Sequence, residues 1–78
     1  MRRNGVSTHD FLHALPQLGF VETQASEGSH MLLRHPVSGL VVSVSTSRSE
    51  VPPIILQGIE RQMENFRIVT REKFEDML

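Results

Sequence analysis

The chain has 78 residues, a formal net charge of −1 and no cysteine. A domain of this length has little room for a deep metabolite pocket, so a surface site acting on a polymer fits it better. The absence of cysteine excludes disulfides and thiolate metal ligands. A nucleic-acid-binding domain usually carries a basic excess, which this chain as a whole lacks.

No segment of the sequence looks like a targeting signal or a membrane span. The basic N-terminus lacks the apolar stretch of a secretory signal, and no apolar run approaches the roughly 20 residues that cross a bilayer. We therefore expect a soluble cytoplasmic protein with no membrane association. The whole of residues 1–78 is predicted to form one domain, with residues 1–6 as a flexible tail.

The first predicted element is a helix from Thr8 to Leu18. Ser7 is a suitable N-cap residue, and Asp10 follows three positions later, as in a capping box. Pro16 is expected to kink this helix or to end it early, and Gly19 suits its C-terminal stop. The apolar residues at helical spacing are Phe11, Leu12, Leu15 and Leu18.

Three short strands are predicted to follow, over residues 20–23, 30–35 and 40–44. Gln24 to Ser29 is polar and reads as a turn. Pro36 to Gly39 is a strong turn signal between two strand-like runs, so the second and third strands should form an antiparallel hairpin.

Alternation along the two hairpin strands predicts which side chains are buried. The residues expected on the covered face are Met31 and Leu33 of one strand and Leu40, Val42 and Val44 of the other. His30, Leu32 and Arg34 are expected on the opposite face. Because helices would cover only one side of such a sheet, that opposite face should be open to solvent.

Two helices complete the predicted fold. Pro52 and Pro53 open the first, since proline suits a first helical turn, and its apolar stripe is Ile55, Leu56, Ile59 and Met63. A last helix is predicted over residues 71–78, with Thr70 as its N-cap and Phe74, Met77 and Leu78 on its buried side. The predicted class is α+β, in the order α-β-β-β-α with a short C-terminal helix. Its three-stranded antiparallel sheet is covered on one face by helices.

The run from Gly28 to Pro36, Gly-Ser-His-Met-Leu-Leu-Arg-His-Pro, resembles the glycine-serine-histidine strand of the HicA-type mRNA interferase toxins. Other segments line up in the same order: Leu18-Gly19-Phe20, Glu50-Val51-Pro52-Pro53, the helix with Leu56, Ile59, Arg61 and Gln62, and the C-terminal turn from Phe74 to Leu78. The resemblance spans roughly residues 7–78.

This resemblance implies a double-stranded-RNA-binding-like fold and an endoribonuclease toxin of a type II toxin-antitoxin system. His30 corresponds to the catalytic histidine of the family. The implied partners are RNA, in particular mRNA, and a HicB-type antitoxin protein that blocks the site. No cofactor and no metal are implied.

The sequence departs from the family pattern at several positions. Thr46 stands where a further histidine is frequent, Ile54 where a glycine is common, and Glu60 where an apolar residue is usual. Lys73 is the only lysine, whereas the family is strongly basic. These departures leave two alternatives: a non-catalytic RNA- or protein-binding module of the same fold, and a homodimeric interaction domain that uses the exposed edge of its sheet.

The chemistry expected of His30 is proton transfer. RNA is cleaved when its own 2′-hydroxyl attacks the adjacent phosphate, and histidine exchanges protons near neutral pH. Arg34, on the same strand face, offers forked donors to phosphate. Ser29 offers a hydroxyl donor, and Gly28 would let the RNA approach the backbone closely.

The other histidines are interpreted as structural. His35 shares strand parity with the buried residues and lies at the mouth of the hairpin, which favours a structural role. His9 and His13 are four residues apart on a helix, a spacing that can bind a metal, but no third ligand follows at a suitable spacing.

Overall fold

The structure is a computed structural model that describes residues 5–24 and 28–78. Its elements in chain order are β1 (Val6–Ser7), α1 (Thr8–Gln17), β2 (Val21–Glu22), β3 (His30–Arg34), β4 (Val41–Ser45), β5 (Glu50–Val51), α2 (Pro53–Asn65) and α3 (Arg71–Asp76). Strands β2, β3 and β4 form a three-stranded antiparallel sheet in that order. The predicted α+β class, with its antiparallel sheet and short C-terminal helix, is confirmed.

Helix α1 begins as predicted. The Ser7 hydroxyl accepts a hydrogen bond from the Asp10 N–H at 3.0 Å, which satisfies one backbone donor of the first turn. The helix continues through Pro16 and ends at Gln17, one residue before the predicted end. Gly19 then adopts a left-handed φ of 101°, which ends the helix and turns the chain towards β2.

The predicted flexible tail is wrong at its last residue. Val6 belongs to β1, which pairs with β5 through Val51, and its side chain is only 5% exposed. A two-residue strand shows no alternation in the sequence, so only the tertiary contact reveals it. Gly5 precedes β1 and is described, whereas residues 1–4 of the predicted tail lie outside the described residues.

The hairpin of β3 and β4 has the predicted arrangement. Leu33 pairs with Val42, and Met31 pairs with Val44. These four side chains face the core, where Leu33 is 3% exposed. His30 and Arg34 lie on the other face and are exposed, as expected.

His35 has the structural role that its parity predicted. Its Nε2 lies 3.1 Å from the Leu18 carbonyl oxygen, and its Nδ1 lies 2.9 Å from the Ser38 hydroxyl. Because a carbonyl can only accept, Nε2 donates to Leu18 and Nδ1 accepts from Ser38. The ring also packs on Phe20, with centroids 5.1 Å apart. His35 thus ties the hairpin turn to the end of α1.

The two C-terminal helices close the core. Leu56, Ile59 and Met63 of α2 are buried, as predicted, but Ile55 is 48% exposed and is not part of the core. Glu60 is also on the buried side of α2 and is 1% exposed, at the position where the toxin family usually has an apolar residue. Its charge pattern with neighbouring residues indicates a solvated helix face, and that interpretation is wrong for Glu60.

Helix α3 is held by its cap and by one aromatic contact. The Thr70 hydroxyl accepts from the Lys73 N–H at 3.2 Å. Phe74 is fully buried and meets the Phe11 ring edge-on, with centroids 5.6 Å apart. Within residues 5–24 and 28–78, the helices are all too short or too polar to cross a bilayer.

Replacing Phe74 by alanine should lower the free energy of unfolding by about 3–5 kcal/mol, because it removes a fully buried ring from a small core. The matched control is Phe66→Ala, since Phe66 is 46% exposed and should cost about 1 kcal/mol or less. Urea unfolding followed by circular dichroism measures both. Equal losses for the two variants would contradict the described core.

Candidate functional site

His30 is the first residue of β3 and lies directly after a turn. Gly28 has a left-handed φ of 59°, and a Cβ at that position would meet no atom within 4 Å. The Ser29 carbonyl oxygen accepts two hydrogen bonds from Thr46, from its N–H at 2.6 Å and from its hydroxyl at 2.9 Å. Thr46, which stands where the toxin family often has a histidine, therefore holds the backbone that precedes His30.

His30 lies on the rim of a surface cleft of about 260 Å³. The floor of the cleft is apolar and consists mainly of buried core residues, namely Phe11, Val44, Val51 and Ile59. The rim also contains polar side chains and one exposed apolar residue, namely Ser43, Ser45, Arg48, Glu50 and Ile55. The cleft therefore combines an apolar floor with side chains that can form hydrogen bonds and, in the case of His30, transfer protons.

Arg48 and Glu50 were not predicted as site residues, because the polar composition of residues 45–50 predicts a loop. The loop is fixed at its Arg48 carbonyl oxygen, which accepts from the Thr8 hydroxyl at 2.7 Å. Glu50 belongs to β5 and pairs with Ser7. A signal was available: Ser45 pairs with His30, so residues that follow β4 return to the His30 end of the sheet.

The carboxylate of Glu50 has room because residue 5 is glycine. A Cβ on Gly5 would lie only 3.0 Å from Glu50 Oε1, which is closer than such atoms normally approach. The carboxylate can occupy this position because the residue that precedes β1 has no side chain.

Arg34, the predicted phosphate-binding residue, does not line this cleft. It is the last residue of β3 and pairs with Val41, whereas His30 is the first. Four residues of strand separate them by about 13 Å. The structure thus brings His30 together with Arg48 and Glu50, and leaves Arg34 further along the same exposed face, where a polymer lying along β3 would reach it.

The other predicted site residues also have definite places. Gly28 and Ser29 are exposed and immediately precede His30, outside the cleft lining. The predicted turn over residues 24–29 lies partly outside the described residues. The rings of His9 and His13 stack with centroids 6.4 Å apart, and within the described chain no three histidine or carboxylate side chains group closely enough to hold a metal ion.

Comparison with models of protein families, with curated proteins and with solved structures gives no match to this chain. The fold and the site together define an α+β domain with a histidine-bearing cleft at one end of a three-stranded antiparallel sheet. The resemblance to the HicA-type toxins rests on the sequence segments quoted above.

Thr46→Val should weaken the support of the turn before His30, because it deletes the hydroxyl donor to the Ser29 carbonyl. The expected cost is about 0.5–1.5 kcal/mol, with faster hydrogen exchange of the amide of residue 46, which donates to the same Ser29 carbonyl. Thr46→Ser keeps the hydroxyl and should behave as the wild type. Similar exchange rates in the valine and serine variants would show that the hydroxyl does not hold this turn.

Proposed function

We propose that this chain is an endoribonuclease of the mRNA interferase type that uses His30 for acid–base catalysis. The observation that carries the proposal is the position of His30: its ring is exposed on the rim of a cleft. The intact Gly28-Ser29-His30 run supports the same function through its resemblance to the HicA-type toxins.

The proposed reaction needs only proton transfer and charge stabilisation. The 2′-oxygen of the RNA attacks the adjacent phosphorus, and the bond from phosphorus to the 5′-oxygen of the next nucleotide breaks. The proton leaves the 2′-hydroxyl, and a proton is delivered to the departing 5′-oxygen, which yields a 2′,3′-cyclic phosphate and a 5′-hydroxyl. His30 performs one of these transfers at a time.

Local charge supports RNA binding although the net charge does not. Arg48 lies on the cleft rim with His30, and Arg34 is exposed on the same sheet face. Guanidinium groups bind phosphate through charge-assisted hydrogen bonds. Such a small number of cations favours a transient contact with RNA, as turnover requires.

A protein partner is part of the proposal. An exposed ribonuclease site in the cytoplasm needs an inhibitor, and the resemblance implies a HicB-type antitoxin that covers His30. Because the cleft is a shallow surface feature, a partner that rests on its rim would exclude RNA from the histidine.

His30→Ala should lower the rate of RNA cleavage by the purified protein about 10²–10⁴-fold, because the proton-transfer group is removed. The matched control is His9→Ala, since His9 is an exposed histidine on α1, away from the cleft. Expression of the wild type should slow bacterial growth and shorten transcript lifetimes, and His30→Ala should do neither. Equal growth and equal transcript lifetimes for wild type and His30→Ala would exclude the nuclease.

The second candidate function is a non-catalytic module that binds a second copy of the chain through the edge of β4. The His35 N–H donates to the Leu40 carbonyl, and the Thr46 N–H donates to the Ser29 carbonyl. These bonds mark both ends of the β3–β4 ladder, and antiparallel pairing alternates between them. Val41, Ser43 and Ser45 therefore direct their backbone polar groups away from β3, at an edge without charge or proline.

This alternative predicts a dimer. Light scattering at increasing concentration should then give twice the mass of the chain, and Val41→Lys should restore the monomer because a charged edge resists pairing. Val37→Lys is the matched control, since Val37 is 93% exposed in the hairpin turn and should leave the dimer intact. A wild type that stays monomeric at every concentration rules the alternative out.

A further inference from the structure

We propose that the cleft beside His30 is a binding subsite for a single unstacked guanine base of RNA. This inference rests on the proposed function, because it names the part of the substrate that the same site recognises. It assigns roles to Arg48, Glu50 and Ile55, for which the resemblance implies no function.

The size and floor of the cleft suit one base. Its volume of about 260 Å³ falls just below the roughly 300–1,000 Å³ of pockets that enclose drug-sized ligands. The floor is apolar, and Ile55 stands at its edge with 48% of its surface exposed. The exposed Ile55 side chain and the apolar floor can contact the flat face of a base. Removing that face from water stabilises the bound state.

The rim supplies the hydrogen-bonding groups that select guanine. Among the four bases, guanine alone presents two neighbouring donors on its Watson–Crick edge, N1–H and the 2-amino group. A carboxylate accepts through both oxygens, so Glu50 matches this edge. The acceptors O6 and N7 of guanine are the preferred partners of arginine, and Arg48 lies on the same rim.

The position of the cleft relative to His30 links base binding to cleavage. His30 and the base-binding groups line one continuous cleft, so a base held there places its own ribose and phosphate beside the imidazole. A base in a duplex cannot enter, because its edge is paired and its faces are stacked. The subsite therefore selects single-stranded RNA with guanine next to the reacting phosphate.

The experiment measures binding without cleavage. Trinucleotides of sequence U-N-U, fully 2′-O-methylated and therefore unable to undergo attack by the 2′-oxygen, are titrated into the ¹⁵N-labelled wild-type protein and followed by amide NMR shifts. The central base N is guanine, inosine, adenine or cytosine. We expect U-G-U to bind at least about tenfold more tightly than the others, in line with the discrimination by a paired polar contact.

Four variants test the individual contacts. Ile55→Glu should weaken U-G-U about tenfold or more, whereas Ile54→Glu, on the same helical turn but outside the cleft lining, should change it less than about twofold. Glu50→Gln should remove the preference for guanine over inosine, because inosine lacks the 2-amino donor. Glu22→Gln, an exposed change on β2, should preserve that preference.

The outcomes separate this proposal from the nuclease proposal. Equal binding of the four trinucleotides, or equal weakening by Ile54→Glu and Ile55→Glu, overturns the guanine subsite. Cleavage that depends on His30 without any base preference leaves the nuclease standing and removes the subsite. A guanine preference in a protein that cleaves no RNA leaves the subsite standing and removes the nuclease.

Discussion

The register of the β3–β4 hairpin is the constraint on which the site depends. Side chains alternate between the two faces of a sheet, so a slip of one residue would exchange every inward group for an outward one. Leu33, Val42 and Val44 face the core and are at most 4% exposed, and burying each stabilises the fold by about 1.5–3 kcal/mol. The same register that buries these three side chains directs His30 to the open face.

The cleft forms because several elements converge at the His30 end of this hairpin. Ser45 lies opposite His30, and the loop that leaves β4 is fastened to the first residue of α1 by two hydrogen bonds from Thr8, to the carbonyl oxygens of Arg48 and Ser49. Strand β5 then continues into α2 through Pro52. The backbone that carries Arg48 and Glu50 is therefore held in place, although these residues belong to a loop and a short strand.

The sequence predicted most of the fold because its signals are local. Ser7 and Thr70 are N-cap residues, and each is followed by apolar residues at helical spacing. In β3 and β4 the alternation of the sequence agrees with the observed alternation of buried and exposed side chains. What it could not predict depends on contacts between distant residues. Val6 pairs with Val51 across most of the chain, and Ile55 shares the apolar character of its neighbours but lies just off the buried side of α2. Glu60 lies on the same helical stripe as Leu56, Ile59 and Met63 and is buried, although a glutamate is normally exposed.

Only some of the residues of the candidate site could be predicted from the sequence, for the same reason. His30 is part of a recognisable run of residues, whereas no local signal marks Arg48 or Glu50 as a site residue. They come close to His30 through the pairing of β3 with β4 and of β1 with β5. Arg34 illustrates the opposite error: shared strand parity with His30 places it on the same face, but about 13 Å away. Two residues on the same face of a strand can therefore lie too far apart to belong to one site.

The chemistry of the RNA ends tests the role of His30 most directly. If His30 promotes attack by the 2′-hydroxyl, the purified wild type produces 2′,3′-cyclic phosphate and 5′-hydroxyl ends, and 2′-deoxy substitution at the cleaved position stops the reaction. Mass spectrometry of the fragments distinguishes these ends from all others. Fragments with 5′-phosphate and 3′-hydroxyl ends, or cleavage that continues at a 2′-deoxy position, would contradict the proposed role of His30.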